Sequence, residues 1–356
     1  MRILHFSDIH LDFQLRRVPL RDWFGKRLMG GGNYLLRRRE AFRQGKRKLD
    51  ALAALIHEDD PDLIVFSGDF TTLGTELELL NAREAIEPIL ATSASFVCVP
   101  GNHDVYLGDV VRQGRFVRNL GDLLVTDMPD LLVDDHWPIA RLIEDSVAVV
   151  AVNSSRPNPR PWRSSGLIPH EQLVALSKML ADPRLADRFV FVVTHYPPCG
   201  PDGRPHAKLH GLDNATELME TIAPLGDRGA LLCGHLHDAF HQRPVDGAPR
   251  VFCAGSATLE GREGFWQFDL DTAGRRVHTS RGRWAPEGWM LTEEDSWSYE
   301  APAAARKNAA RKNGVAKELE SELESEQGSE EVSGQEETGE GTTVGARGTG
   351  ATDPTP

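Results

Sequence analysis

Asp8 and His10, Asp69, Asn102 and His103, His195, and His235 and His237 are the residues whose types and spacing can do chemistry. Each group follows a short strand-like run: Ile3–Ser7, Leu63–Phe66, Phe96–Val99, Phe189–Val193 and Gly229–Cys233. One at a time they say little. Asp-x-His arises by chance, Gly-Asp after a strand is usually a turn, and a single His there is usually a hydrogen-bonded rim residue. Together, five strand ends deliver only oxygen and imidazole donors. Asp8/His10 and His235/His237 share an i, i+2 spacing, which on an extended backbone points both side chains the same way. Glycine precedes Asp69, Asn102 and His235, permitting a tight turn that aims the side chain into a cleft. Carboxylate and imidazole without thiolate suit Mn²⁺, Fe or Zn²⁺ better than Mg²⁺ or Ca²⁺. So many donors exceed one ion and match two that share a bridging carboxylate. Two ions roughly 3.5–4 Å apart generate a hydroxide and clamp a phosphoryl group for in-line attack, so the pattern points to hydrolysis of a phosphate ester.

These residues need rigid elements behind them. Leu49, Leu52, Ala53, Leu55 and Ile56 recur at helical spacing, which predicts a helix from about Leu35 or Arg43 to Glu58. Further helices are predicted over Glu76–Leu90 and 170–181, and further strands over Val147–Val152 and Val251–Cys253. Continuous apolar strands alternating with helices imply an α/β protein whose sheets are covered by helices. Ligands in such sheets bind beyond the carboxyl ends of the strands. The chain has 356 residues, 40% of them apolar, which is enough for a real core. A length-based prior of roughly 100–200 residues per domain gives two domains. The pattern favours one catalytic body over 1–295 and a disordered acidic tail over 301–356, because Glu, Ser, Gly and Thr cannot bury enough surface to fold. Cys98, Cys199, Cys233 and Cys253 lack CxxC spacing, and three lie in apolar runs, so neither disulfides nor a thiolate zinc site is expected. No apolar run approaches the roughly 20 residues that span a bilayer. An acid at Asp8 interrupts any leader, so a cytoplasmic location is expected.

The motifs Ser7-Asp8-Ile9-His10, Gly68-Asp69, Gly101-Asn102-His103-Asp104, Thr194-His195-Tyr196-Pro197-Pro198 and Gly234-His235-Leu236-His237 resemble, in order, those of the calcineurin-like metallophosphoesterases. The resemblance implies a four-layer α/β/β/α sandwich. It implies that Asp8, His10, Asp69 and His237 hold one metal, and that Asn102, His195 and His235 hold the other with Asp69 as the bridge. It further implies that His103 contacts the phosphate and protonates the leaving oxygen, with Asp104 orienting its imidazole. Other polar neighbours have plainer readings. His5 and His57 are ordinary, Asp12 caps or supports the first loop, and Trp162–Gly166 is a surface loop. Asn153 and one of His206, His210 and His241 are candidates for the cleft wall.

Two features narrow the substrate. The lipid-A-precursor pyrophosphatase branch typically carries Arg where His103 stands. Only about 50 body residues follow His237, which leaves no room for the capping domain of nuclease relatives. A small phosphodiester is the first expectation. A phosphomonoester, a lipid-linked pyrophosphate at a membrane surface, and a non-catalytic scaffold are the alternatives. The net charge of −13 agrees with the absence of a nucleic-acid partner, yet it is unevenly spread. Residues 16–48 hold twelve Lys/Arg against two acids (+10), the stretch 316–356 is −9, and the remainder is −14. The 16–48 segment mixes Trp23, Phe24, Leu28, Met29 and Tyr34 with its cations. That suits peripheral contact with an anionic membrane, or a merely solvated helix face.

Overall fold

Beyond Arg2, strand β1 (Arg2–Phe6) is apolar except for His5, and its side chains alternate between two different cores. The computed structural model describes residues 1–11, 27, 44–158, 160, 162–206 and 209–300. The expected tail at 301–356 and the basic insert, apart from Arg27 and 44–48, lie outside the described residues.

After β1 come α1 (Gly45–Asp59), β2 (Leu63–Phe66), α2 (Glu76–Leu90), β3 (Ser95–Cys98), α3 (Gly108–Arg112) and α4 (Arg115–Leu120). The second half holds β4 (Ile139–Ile143), β5 (Val147–Ala151), α5 (His170–Ala181), β6 (Phe189–Val193), α6 (Ala215–Ile222), β7 (Gly229–Cys233), β8 (Phe240–Gln242) and β9 (Arg250–Cys253). It is followed by β10 (Phe265–Asp271), β11 (Arg276–Ala285) and β12 (Gly288–Ser298). One six-stranded sheet runs β12-β11-β10-β1-β2-β3, and the other runs β4-β5-β6-β7-β9-β8. β1, β2 and β3 are parallel, as are β5, β6, β7 and β9.

Period-two alternation sorts these strands into three apolar layers. Ile3, Leu63, Val65 and Val97 face Val149, Phe191, Leu232 and Phe252 between the sheets. The other faces of β1 and β2 (Leu4, Phe6, Ile64, Phe66) meet Leu52, Ile56, Leu79 and Ile86 of α1 and α2. The other faces of β5, β6 and β7 (Val150, Val192, Leu231) meet Leu176, Met179, Leu218 and Ile222 of α5 and α6. Helix, sheet, sheet and helix therefore stack as the expected four layers. Removing a middle-layer ring, as in Phe191→Ala, costs about 3–5 kcal/mol. Helix α2 starts at a capping box, in which Thr75 accepts from the Glu78 N–H while Glu78 accepts from the Thr75 N–H.

Of the antiparallel additions, β12 is mostly exposed and β11 mixes buried and exposed positions with three arginines, so this hairpin carries a weak sequence signal. Helix α1 starts at Gly45, so the last basic residues of the insert are its first turn. Two cations of the insert turn inward. Arg27 is buried, with its guanidinium forked onto Asp109 (2.9 and 3.3 Å) and its Nε donating to the Leu73 carbonyl. Lys48 is buried and paired with Glu263. Among the described residues, no helix is long and apolar enough to cross a membrane, and all four cysteines are free and buried.

Candidate metal centre

The loops that leave the carboxyl ends of β1, β2, β3, β6 and β7 meet where the two sheets converge. Five of the eight non-glycine residues with positive φ, among the described residues, are Asp8, His10, Asp69, His235 and His237. That corrects the extended-backbone account of the i, i+2 pairs. The side chains converge through left-handed turns, a conformation that costs free energy in L-residues and concentrates at functional sites. The glycines act mainly through close approach. A Cβ on Gly101 would lie 2.0 Å from Asp69 Oδ1, and one on Gly234 would lie 2.0 Å from Ser7 Oγ.

Asp8, His10, Asp69 and His237 each offer a donor atom, all within 4.8 Å of one another. His237 Nε2 lies 3.0 Å from Asp8 Oδ1. His10 Nε2 lies 3.5 Å from both Asp8 Oδ1 and Asp69 Oδ2. The same Asp69 Oδ2 is 3.5 Å from His195 Nε2. On that side, Asn102 Oδ1 sits 3.0 Å from His195 Nε2 and 2.7 Å from His235 Nδ1. Two ligands about 2.1 Å from one ion and at right angles stand about 3 Å apart, so this crowding suits coordination.

Hydrogen bonds decide which ring nitrogens can coordinate. His10 Nδ1 is 2.7 Å from the Thr71 carbonyl, and His195 Nδ1 is 2.8 Å from that of Ser67. His235 does the reverse, placing Nε2 2.9 Å from the His210 carbonyl. A carbonyl only accepts, so each contacting nitrogen carries the proton and the opposite nitrogen presents a lone pair to the centre. Burial pushes His195 down to about 4 and His235 well below the usual imidazole range, which keeps both rings neutral. The Asn102 oxygen therefore faces two bare nitrogens. Burial and the neighbouring Asp8 charge push Asp69 well above the usual carboxylate range. Among the described residues no Lys or Arg pairs with these two close buried carboxylates, and bound cations would balance them and the converging lone pairs. The residues present fit a pair of divalent ions.

His103 belongs to the same cluster, with its ring edge-on to His10 at 5.0 Å. Its Nδ1 donates to the Thr72 carbonyl at 2.5 Å. That overturns the orienting role expected of Asp104. The buried Asp104 carboxylate instead accepts from the backbone N–H groups of Asp69, Phe70, Thr71 and Gly101 and from Thr71 Oγ1, at 2.9–3.1 Å. Five donors saturate it, and the His103 ring finds its acceptor elsewhere. Asp104 shapes the loop after β2, whose carbonyls at Ser67, Thr71 and Thr72 in turn fix His195, His10 and His103.

The remaining candidates separate clearly. His210 contributes its backbone carbonyl. His241 packs its ring against Phe252 and Trp266 in the intersheet layer. Asn153 Oδ1 closes a local turn onto the Ser155 N–H. His5 is buried with Nε2 on Ser67 Oγ, His57 bonds the Pro88 carbonyl, and Asp12 lies outside the described residues. Sequence reasoning missed the hydroxyls that hold the ligand loops. Ser256 Oγ donates to the Asp8 carbonyl at 2.6 Å, and Thr258 Oγ1 donates to that of Ile9 at 2.7 Å. Ser154 Oγ accepts from the N–H groups of His195 and Tyr196, both at 3.1 Å. No local pattern announces contacts this distant in sequence.

The chain matches the calcineurin-like phosphoesterase family over residues 1–239. It is 28% identical over 217 residues to a 3′,5′-cyclic adenosine monophosphate phosphodiesterase of Escherichia coli K12, covering 61% of this chain and 68% of that protein. It is 26% identical over 179 residues to a probable glycerophosphodiester phosphodiesterase of Arcobacter nitrofigilis, covering 50% of this chain and 57% of that one. In fold it is similar to a dimetal phosphatase from Danio rerio (TM-score 0.59, 13% identity, 84% of this chain and 99% of the other). It is also similar to a purple acid phosphatase from yellow lupin seeds (TM-score 0.55, 10% identity, 84% and 53%).

Proposed function

The chain belongs to the calcineurin-like phosphoesterase family, and from that premise we propose that it is a two-metal hydrolase of phosphodiesters, with a single catalytic domain over 1–295. The observation that carries this reading is the position of Asp69 Oδ2, 3.5 Å from a donor nitrogen on each side. Asp8, His10, Asp69 and His237 would hold one divalent ion. Asp69, Asn102, His195 and His235 would hold the other, and the donor chemistry favours Mn²⁺, Fe or Zn²⁺. Ions bound there would supply a hydroxide nucleophile and neutralise the phosphoryl oxygens during in-line attack. The carbonyls of Ser67, Thr71 and His210 keep the coordinating nitrogens of His195, His10 and His235 deprotonated and aimed. His103, with Nδ1–H tied to the Thr72 carbonyl, would act as an imidazolium, giving its second proton from Nε2 to the leaving oxygen and returning to the neutral Nδ1–H ring.

The names of the two bacterial relatives support a diester over the phosphomonoester and lipid-pyrophosphate alternatives, and the full donor set supports an enzyme over a scaffold. Metal-loaded protein is expected to hydrolyse bis(p-nitrophenyl) phosphate faster than the monoester p-nitrophenyl phosphate. Absence of turnover with Mn²⁺, Fe²⁺ and Zn²⁺ alike rejects the catalytic reading, and a preference for the monoester rejects the diester one. Contact of residues 16–48 with anionic membrane belongs to the same proposal. It fails if the full chain shows no salt-sensitive binding to phosphatidylserine vesicles.

A further inference from the structure

The loop between β5 and α5 gathers Arg156, Arg160 and Arg163 around a cleft of about 240 Å³, together with Pro157 and Asn158. This is a concentration of positive charge on a body that is otherwise acidic. Arg156 and Arg163 share a single carboxylate oxygen, Asp213 Oδ2. They are fixed beside each other by Ser165, whose Oγ accepts from Arg156 Nη2 and from Arg163 Nε at 2.8 Å each. Arg156 and Arg163 both pair with Asp213, and among the described residues no ion pair joins the Arg160 guanidinium to a carboxylate. Three guanidiniums so gathered line the cleft with cationic groups.

The loop also borders the proposed second ion subsite. Ser154, two residues before Arg156, holds the His195 and Tyr196 N–H groups. Ser155 Oγ donates to the Pro100 carbonyl at 2.8 Å, just ahead of Gly101 and Asn102. At the other end, Ser164 Oγ meets Tyr196 Oη at 3.4 Å, and the Tyr196 ring lies 4.2 Å from that of His235. The same loop therefore touches the segments bearing Asn102, His195 and His235, and then turns outward into the arginine cleft.

We propose that Arg156, Arg160 and Arg163 form an anion subsite that takes a second phosphate on the substrate, remote from the ester that is cleaved. Planar guanidiniums match phosphate oxygens with paired N–H donors, and the cleft is small enough to suit a phosphate rather than a whole second nucleoside. This rests on the phosphodiester reading, from which it can be separated by a binding measurement that needs no turnover. The probes are adenosine 5′-monophosphate and adenosine 3′,5′-bisphosphate, titrated calorimetrically into the full Mn²⁺-loaded chain. The bisphosphate is expected to bind about tenfold tighter, and Arg160→Ala to bring the ratio of the two affinities to about one. Arg160→Lys keeps charge without the fork and should fall between. A ratio near one in the wild type, or a tenfold ratio that survives Arg160→Ala, overturns the subsite. A tenfold ratio without hydrolysis of any aryl phosphate keeps the subsite and rejects the catalytic reading, and hydrolysis with a ratio of one does the reverse.

Discussion

The proposed centre divides into two ion subsites of different charge that would share Asp69. On the β1 side, Asp8 and Asp69 face His10 and His237. On the β3 and β6 side, Asn102, His195 and His235 are neutral, and Asp69 is the charge they borrow. Two charges about 4 Å apart interact by about 4 kcal/mol at an effective dielectric of 20. An ion beside two carboxylates is therefore held much more firmly than one beside a shared carboxylate and three neutral donors. The two sides also differ in support. The loop after β9 clamps the Asp8 loop through Ser256 and Thr258, whereas the loop after β5 holds the His195 loop through Ser154. On the proposed assignment, the Asp8 half would retain its ion and the Asn102 half would exchange it.

The largest effect belongs to the residue both halves use. Asp69→Asn should lower bis(p-nitrophenyl) phosphate hydrolysis on the order of 10⁴-fold, since several kcal/mol of metal-supplied stabilisation is lost. Elemental analysis should show less than one bound ion, whereas Asn102→Ala should retain one. If Asn102→Ala loses both ions, or a chelator strips them in one step, the asymmetry is wrong. His103→Ala should lower the rate by about 10²-fold while the metal content stays at two; loss of metal would place His103 among the ligands. Smaller effects separate the supports. Ser256→Ala should weaken the tighter ion by about tenfold and Ser154→Ala the weaker one, and competition with a metal-sensitive dye reads each in turn.

The smallest is a pH effect on the metal-free chain. Burial holds His195 at about 4 and His5 at about 3, against an ordinary value of 6.5. Below pH 6.5 the unfolded chain takes protons that the folded chain refuses, so stability falls as pH drops toward those lower values. Urea midpoints between pH 7 and pH 4.5 should fall less steeply in His5→Gln and in His195→Gln than in the parent. Parallel slopes in all three would remove both rings from the account.

Much of this was legible in the sequence, for identifiable reasons. β2, β5, β6 and β7 are buried on both faces, so they read as unbroken apolar runs, and the polar residues that end them stand out. The Glu76–Leu90 and 170–181 helices were bounded correctly because their periodicity is clean and their ends are marked. β11 and β12 were not legible, because this hairpin mixes charged, polar and apolar residues and a register shift at Thr279/Ser280 breaks its alternation. Nor was the service of Asp104 to the loop after β2, because five bonds to backbone and hydroxyl donors leave no trace in residue spacing. Ser256 and Thr258 look like ordinary turn residues until a contact spanning nearly 250 positions is seen.

The left-handed backbone at Asp8, His10, Asp69, His235 and His237 has a consequence for anyone engineering the chain. Glycine relaxes such positions, so a screen for heat resistance alone rewards the substitutions that erase the centre. Libraries aimed at a more durable enzyme must hold those five codons fixed and look for their gains elsewhere, in the helical layers.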